Sequence, residues 1–99
     1  MTKDEIRRRI NEALPRLTVY DRVKRVSLFG SQLHQTAAGE SDIDLLVEFS
    51  MPVGYFDLVG MEQDLEKSLG QRVDLVTPAS LSTYFRADVL REAELLYEQ

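Results

Sequence analysis

The chain has 99 residues and a formal net charge of −5 at pH 7, which suits one small domain and argues against broad nonspecific binding to nucleic acid. It has no cysteine and one histidine, so disulfides, thiolate metal sites and multi-histidine sites are excluded. With neither a run of about eighteen apolar residues nor an apolar signal segment, the sequence predicts a cytoplasmic protein without membrane contact.

A helix is predicted from about residue 3 to residue 14. Thr2 and Glu5 have the spacing of a capping box, apolar residues follow at helical intervals, and Pro15 disfavours helix at the residue before it. Three consecutive arginines at positions 7 to 9 lie on the outer side of this helix. They are either a basic patch for nucleic acid or a solvated helix face, and the solvated face is favoured.

The first strand is predicted over about residues 24 to 29 and ends at Gly30-Ser31. A Gly-Ser turn after a strand offers free backbone N–H groups and a hydroxyl, which together can hold a phosphate. Ser31 also suits the N-cap of a short helix from 32 to 38, whose amino end would point at that phosphate. Taken alone, the Gly-Ser pair is better explained as an ordinary turn.

The second strand is predicted over about residues 42 to 49 and begins with Asp42-Ile43-Asp44. Side chains alternate between the two faces of a strand, so Ile43 faces one way and both aspartates face the other. Two carboxylates about 7 Å apart on one face repel each other unless a cation lies between them. Carboxylates for a metal beside a cradle for phosphate indicate phosphoryl or nucleotidyl transfer.

A helix is predicted after the loop at residues 50 to 54, with Gly70 as its stop. Its apolar stripe consists of Tyr55, Leu58, Val59, Leu65 and Leu69. Its outward face consists of Asp57, Glu62, Asp64, Glu66 and Lys67. Phe56 and Met61 fit a pocket for a nucleotide base, but core or partner contact is the favoured interpretation.

The third strand, predicted over about residues 72 to 76, has Asp74 on the face opposite its apolar neighbours. An aspartate in the middle of a short apolar strand needs a partner or a function. A final helix follows, capped by Ser80 or Ser82, with an apolar stripe of Leu81, Phe85, Val89 and Ala93. Residues 95 to 97 fit either its last turn or a short edge strand, and the pattern does not decide.

Together the motif residues have the pattern Gly-Ser, ten residues, Asp-x-Asp and a later strand aspartate: Gly30, Ser31, Asp42, Asp44 and Asp74. This pattern resembles the minimal nucleotidyltransferase (MNT) branch of the superfamily related to DNA polymerase beta. The resemblance implies a single minimal nucleotidyltransferase domain over residues 1–99. It also implies an α/β (α+β) nucleotidyltransferase fold, with a mixed, partly antiparallel sheet and helices packed on one face.

The same resemblance implies roles for the motif residues. Asp42 and Asp44 would hold Mg²⁺, which prefers oxygen ligands from one or two carboxylates plus substrate phosphates. A second ion about 3.5–4 Å away would share Asp74, which is also the candidate general base or positioning carboxylate. Ser31 and the Gly30 backbone would hold the leaving β- and γ-phosphates of ATP.

The middle of the motif departs from the family pattern. Members carry an Arg-rich stretch ending in Gly soon after the Ser, whereas this sequence has Gln32-Leu33-His34-Gln35. The substitutions remove cations that could contact nucleotide phosphates. His34 either replaces one of those arginines or is a neutral surface histidine, and the second interpretation is favoured.

The resemblance implies a Mg²⁺-dependent enzyme that transfers AMP from ATP to a protein. Short MNT proteins pair with a HEPN-domain toxin in toxin–antitoxin modules, in which the MNT protein is the antitoxin. The alternative is a binding module of the same fold that neutralises the toxin by contact alone. Transfer to a small molecule or nucleic acid is disfavoured, because no segment is long enough for an acceptor domain. The acceptor site must come from a partner, a second copy of the chain, or the acceptor protein itself.

Overall fold

The computed structural model describes residues 1–30 and 42–99, so Ser31 and the predicted helix after it lie outside the described residues. The described ranges contain three α-helices and four strands in this order: α1 (Lys3–Ala13), β1 (Val23–Phe29), β2 (Ile43–Phe49), α2 (Tyr55–Leu69), β3 (Val73–Val76), α3 (Thr83–Glu92) and β4 (Glu94–Glu98). Short 3₁₀ turns occur at Leu14–Arg16, Tyr20–Arg22 and Pro78–Ser80. In these two ranges, no helix has the length and apolar character needed to cross a membrane.

The four strands form one mixed sheet in the order β3-β2-β1-β4. Strand β1 runs antiparallel to both β2 and β4, whereas β2 and β3 are parallel. The mixed, partly antiparallel sheet predicted from the resemblance is therefore confirmed. Residues 95 to 97, which the sequence left undecided, belong to the edge strand β4.

The hydrophobic core lies between one face of the sheet and helices α1 and α2. It contains Ile6 and Ile10 from α1, and Met61, Leu65 and Leu69 from α2, with strand residues that include Val26, Leu28, Ile43, Leu45 and Val47. Because alternate residues of β2 enter this core, Asp44 projects from the opposite face. The face that carries the aspartates is therefore the one that α1 and α2 leave uncovered.

Parts of the predicted apolar stripes are wrong. No residue of α3 is buried, and Phe85, which was predicted to face the core, is 62% exposed. The first turn of α2 is also exposed, so Tyr55 does not join the stripe, and the core contact of this helix begins at Leu58. Met61 is a core residue and Phe56 is 89% exposed, so the two do not share a base pocket.

The arginines of α1 form a solvated, paired helix face. Each one lies near a carboxylate: Arg7 near Glu94 at 3.2 Å, Arg8 near Glu12 at 3.2 Å and Arg9 near Glu5 at 2.9 Å. The favoured interpretation of this run is confirmed, since paired charges leave no basic patch. Half of the predicted capping box is present, because the Glu5 N–H donates to Thr2 Oγ1 at 3.1 Å.

Two glutamates of α2 close the outer edge of β3. The Val73 N–H donates to Glu66 Oε2, and the Leu75 N–H donates to Glu62 Oε2, both at 3.1 Å. Four residues along a helix and two along a strand both span roughly 6–7 Å, so the two repeats match. The prediction that these glutamates face solvent is wrong, because a strand edge with unpaired N–H groups needs acceptors.

Replacing Glu62 and Glu66 together by alanine is expected to lower the free energy of unfolding. Each lost hydrogen bond to a charged acceptor should cost about 1–2 kcal/mol, measured by urea unfolding. Asp64→Ala, on an exposed position of the same helix, is the matched control and should change stability by less than about 0.5 kcal/mol. A double variant as stable as this control would show that the edge contacts contribute nothing.

Candidate active site

The register between the two parallel strands brings Asp44 directly beside Asp74. Neighbouring residues in register project from the same face of a sheet, so both carboxylates lie on the face that α1 and α2 leave uncovered. Asp42 comes two residues before Asp44, and alternation directs it the same way. The three aspartates predicted from the sequence thus meet at the end of the sheet where β2 and β3 begin.

Burial and mutual repulsion both act on the carboxylates of the acidic cluster, which consists of Asp42, Asp44 and Asp74. Burial raises the pKa of the half-buried Asp44 carboxyl above its ordinary value, and the negative charges of Asp74 and Asp42 raise it further. Both causes disfavour the ionised form. The cluster therefore favours the binding of a cation or a proton.

Asp44→Asn is expected to raise the thermal midpoint of the metal-free protein at pH 7. Because the pKa of Asp44 is raised on folding, the folded chain binds the proton more tightly than the unfolded chain. Proton binding at Asp44 therefore stabilises the folded chain at pH values below the ordinary pKa of aspartate. This stabilisation is lost as the pH rises through the raised pKa. The gain from the substitution should therefore shrink toward about pH 4.

Thermal unfolding at several pH values, with Asp64→Asn as the exposed control, measures this effect. A metal-free Asp44→Asn protein that is less stable than wild type at pH 7 would contradict it.

Gly30 lies against the Asp44 carboxylate. It follows the last residue of β1, which pairs with Asp44, and its φ of 78° is in the left-handed region that favours glycine. A Cβ at this position would overlap Asp44 Oδ2 and lie 3.0 Å from Asp44 Cγ. Position 30 therefore requires glycine both for its backbone and for the space beside the carboxylate.

The donor set suits a hard divalent cation that arrives with its own ligands. Within residues 1–30 and 42–99, no group of three or more His, Cys, Asp or Glu side chains is arranged to hold a metal ion. Asp44 and Asp74 nevertheless offer adjacent carboxylate oxygens, and Mg²⁺ commonly takes one or two carboxylates and completes its octahedron with phosphates and water. The cluster fits a metal–nucleotide complex better than an all-protein metal cage.

Arg72 borders the acidic cluster and was not among the residues predicted from the sequence. Its Nε lies 3.9 Å from Asp42 Oδ1. The signal was present in Arg72-Val73-Asp74, since alternation gives residues 72 and 74 the same strand face. Ser31, the second half of the predicted phosphate cradle, lies outside the described residues, so its role stays a prediction.

Two hollows formed by residues of the described ranges, 1–30 and 42–99, lie away from the three carboxylates. One, of about 370 Å³, lies at the opposite ends of β2 and β3, between Phe49, Met51, Leu58 and Thr77. Another, of about 500 Å³, is an open depression beside the end of α2 that Lys67 and Arg72 both line. The second hollow adjoins the acidic cluster through Arg72.

Known proteins are similar to this chain in sequence and in fold. The family model "Polymerase beta, Nucleotidyltransferase" matches residues 11–99. A Methanocaldococcus jannaschii relative named "Putative protein adenylyltransferase" is 39% identical, covering 94% of this chain and 96% of its own. Protein adenylyltransferase MntA from Thermococcus cleftensis is 39% identical over 71% of each chain.

A solved structure from Shewanella oneidensis, described as a tri-AMPylated HEPN toxin in complex with MNT antitoxin, has the same fold. The matched chain aligns with a TM-score of 0.72 and 23% identity, covering 97% of this chain and 72% of that one. The assignment rests on sequence as well as on fold, because the family model matches most of the chain and both relatives are 39% identical to it. This chain belongs to the polymerase beta family of nucleotidyltransferases.

Proposed function

We propose that this chain transfers AMP from ATP to a partner protein, and that the partner is a HEPN-domain toxin which it neutralises as an antitoxin. The observation that supports this chemistry most is the adjacency of Asp44 and Asp74 in parallel strands. Support for the acceptor comes from the relatives named protein adenylyltransferases and from the solved complex of an MNT antitoxin with an AMP-carrying HEPN toxin.

The three carboxylates have different roles in the transfer. Asp42 and Asp44 would offer oxygen ligands to Mg²⁺, and Asp74 would be a ligand of a second ion. The metal, when bound, supplies charge neutralisation to the triphosphate. Asp74 accepts the proton of the acceptor hydroxyl while the oxygen of that hydroxyl forms a bond to the α-phosphorus. The bond from the α-phosphorus to the bridging oxygen breaks, and pyrophosphate leaves.

Gly30 and Ser31 hold the departing phosphates in this proposal. The absence of a side chain at Gly30 leaves the Asp44 carboxylate in place and lets the backbone approach the triphosphate. Residues 1–99 act as one MNT domain, and the partner itself completes the acceptor site. A cytoplasmic location is part of the proposal and agrees with a sequence free of cysteine.

Binding of ATP is expected to depend on Mg²⁺. Without the metal, the acidic cluster repels the triphosphate, and the Gln32–Gln35 stretch supplies no arginine to offset that repulsion. Calorimetry should find ATP at least about tenfold weaker in EDTA than in Mg²⁺. The double variant Asp42→Asn with Asp44→Asn should lose most of this dependence. Equal affinity of wild type in both conditions would refute the metal–nucleotide site.

A second function is neutralisation by contact without transfer. One observation favours it: Phe56 and Tyr84 are 89% and 88% exposed, which is unusual for large aromatic side chains and typical of protein interfaces. The contact function needs none of the three aspartates. Removing the carboxylates therefore separates the two functions.

A further inference from the structure

The backbone of Arg72 is held by the sheet, whereas its side chain is mostly exposed. Its backbone carbonyl accepts the Ile43 N–H at 2.9 Å, which ties residue 72 to the start of β2. The side chain is 85% exposed, and the Asp42 side chain that it faces is 46% exposed. The guanidinium therefore stands at the border of the acidic cluster on a well-anchored backbone.

The ion pair between Arg72 and Asp42 is easily exchanged. A distance of 3.9 Å is long for an ion pair, and exposed pairs contribute little to stability. A divalent cation attracts a carboxylate more strongly than a single guanidinium does at this distance. Metal binding at Asp42 should therefore release Arg72 at small cost.

We propose that Arg72 changes partners when the site is loaded: it neutralises Asp42 in the empty site and binds a phosphate oxygen of the nucleoside triphosphate once a divalent cation occupies Asp42. This inference rests on the proposed function and adds a phosphate-binding residue to it.

Four features support the exchange. The planar guanidinium can donate two parallel hydrogen bonds to phosphate. Alternation directs residues 72 and 74 to the same face, so the released guanidinium stays beside the proposed reaction centre. Among the ion pairs within residues 1–30 and 42–99, that of Arg72 is the one that reaches the acidic cluster. The hollow that Arg72 shares with Lys67 gives the side chain room to turn.

Arg72→Gln and Lys67→Gln form a matched pair for the test. Both remove one positive charge from the same hollow, but Arg72 alone of the two is ion-paired with Asp42. Calorimetry would measure the affinity for Mn²⁺ alone, and then for a nonhydrolysable ATP analogue at saturating Mn²⁺. Thermal unfolding of each variant checks that the fold is kept.

The two affinities are expected to move in opposite directions in Arg72→Gln. Nucleotide binding should weaken about tenfold, because a charge-assisted hydrogen bond is lost. Binding of Mn²⁺ alone should strengthen about two- to fivefold, because the competing guanidinium is gone. Lys67→Gln should change each affinity by less than about twofold. Arg72→Lys should recover part of the nucleotide affinity, since it keeps the charge without the planar fork.

Weaker Mn²⁺ binding in Arg72→Gln, or a nucleotide affinity equal to that of Lys67→Gln, would overturn the exchange. If wild type binds both ligands and Arg72→Gln behaves like Lys67→Gln, the exchange alone is contradicted. If wild type binds neither Mn²⁺ nor the nucleotide, the proposed function fails with it.

Discussion

Replacing Asp42 and Asp44 together by asparagine is expected to lower AMP transfer to a co-expressed HEPN-domain partner by at least about a hundredfold, because the metal ligands are removed. The variant should remain folded, since asparagine keeps the size of both side chains. The metal-free protein should be as stable as wild type or more so, because the substitution removes a carboxylate whose pKa is raised by burial and by the neighbouring negative charges. Intact-mass spectrometry of the partner, alongside cell growth, measures transfer and neutralisation in one experiment.

A variant with Asp21→Asn and Asp64→Asn is the matched control. It carries the same change in net charge on two exposed aspartates outside the acidic cluster, and it should modify the partner as wild type does. If the Asp42 and Asp44 variant neutralises the toxin fully while the partner stays unmodified, the chain acts by contact, and the transfer proposal is wrong. Loss of both the mass increase and the neutralisation supports transfer.

Gly30→Ala is expected to disturb both stability and nucleotide binding. The left-handed backbone at position 30 costs an alanine about 1–2 kcal/mol. The new Cβ would also overlap the Asp44 carboxylate, and turning that side chain off its rotamer adds about 0.5–1.5 kcal/mol. Because the displaced carboxylate is a proposed metal ligand, affinity for Mg²⁺–ATP should fall at least about tenfold.

Gly70→Ala separates backbone strain from the contact with Asp44. Gly70 has a φ of 70°, similar to that of Gly30, and a Cβ there would meet nothing within 4 Å. It should lose stability through its backbone alone and keep wild-type affinity for Mg²⁺–ATP. Equal losses of nucleotide affinity in the two variants would show that the approach of Gly30 to Asp44 has no role in the site. Urea unfolding and calorimetry provide the two measurements.

Local sequence patterns predicted the parts of the site that depend on strand alternation. Side chains alternate along an extended chain, so Asp44 of β2 and Asp42 just before it lie on one face, and Asp74 lies on the polar face of β3. What alternation cannot supply is the register between these strands, because the whole of α2 separates them along the chain. The resemblance to a known family supplied that step, and the pairing of Asp44 with Asp74 agrees with it.

The features that local patterns missed depend on contacts between distant segments. Glu62 and Glu66 have ordinary surface spacing on a helix, and only the free edge of β3 makes them hydrogen-bond acceptors. Phe85 has helical spacing, yet none of α3 is buried, because periodicity predicts a face without predicting what covers it. Arg72 was missed for a related reason, since it precedes β3 whereas its partner Asp42 precedes β2.

The transfer reaction is tested most directly by following the two ends of the triphosphate separately. Purified wild-type protein is mixed with its HEPN-domain partner, Mg²⁺ and ATP labelled on either the α- or the γ-phosphate. Transfer of AMP predicts that the partner gains label from the α-phosphate, gains none from the γ-phosphate, and gains neither in EDTA. Label from the γ-phosphate, or an unlabelled partner that is nevertheless neutralised, would contradict AMP transfer.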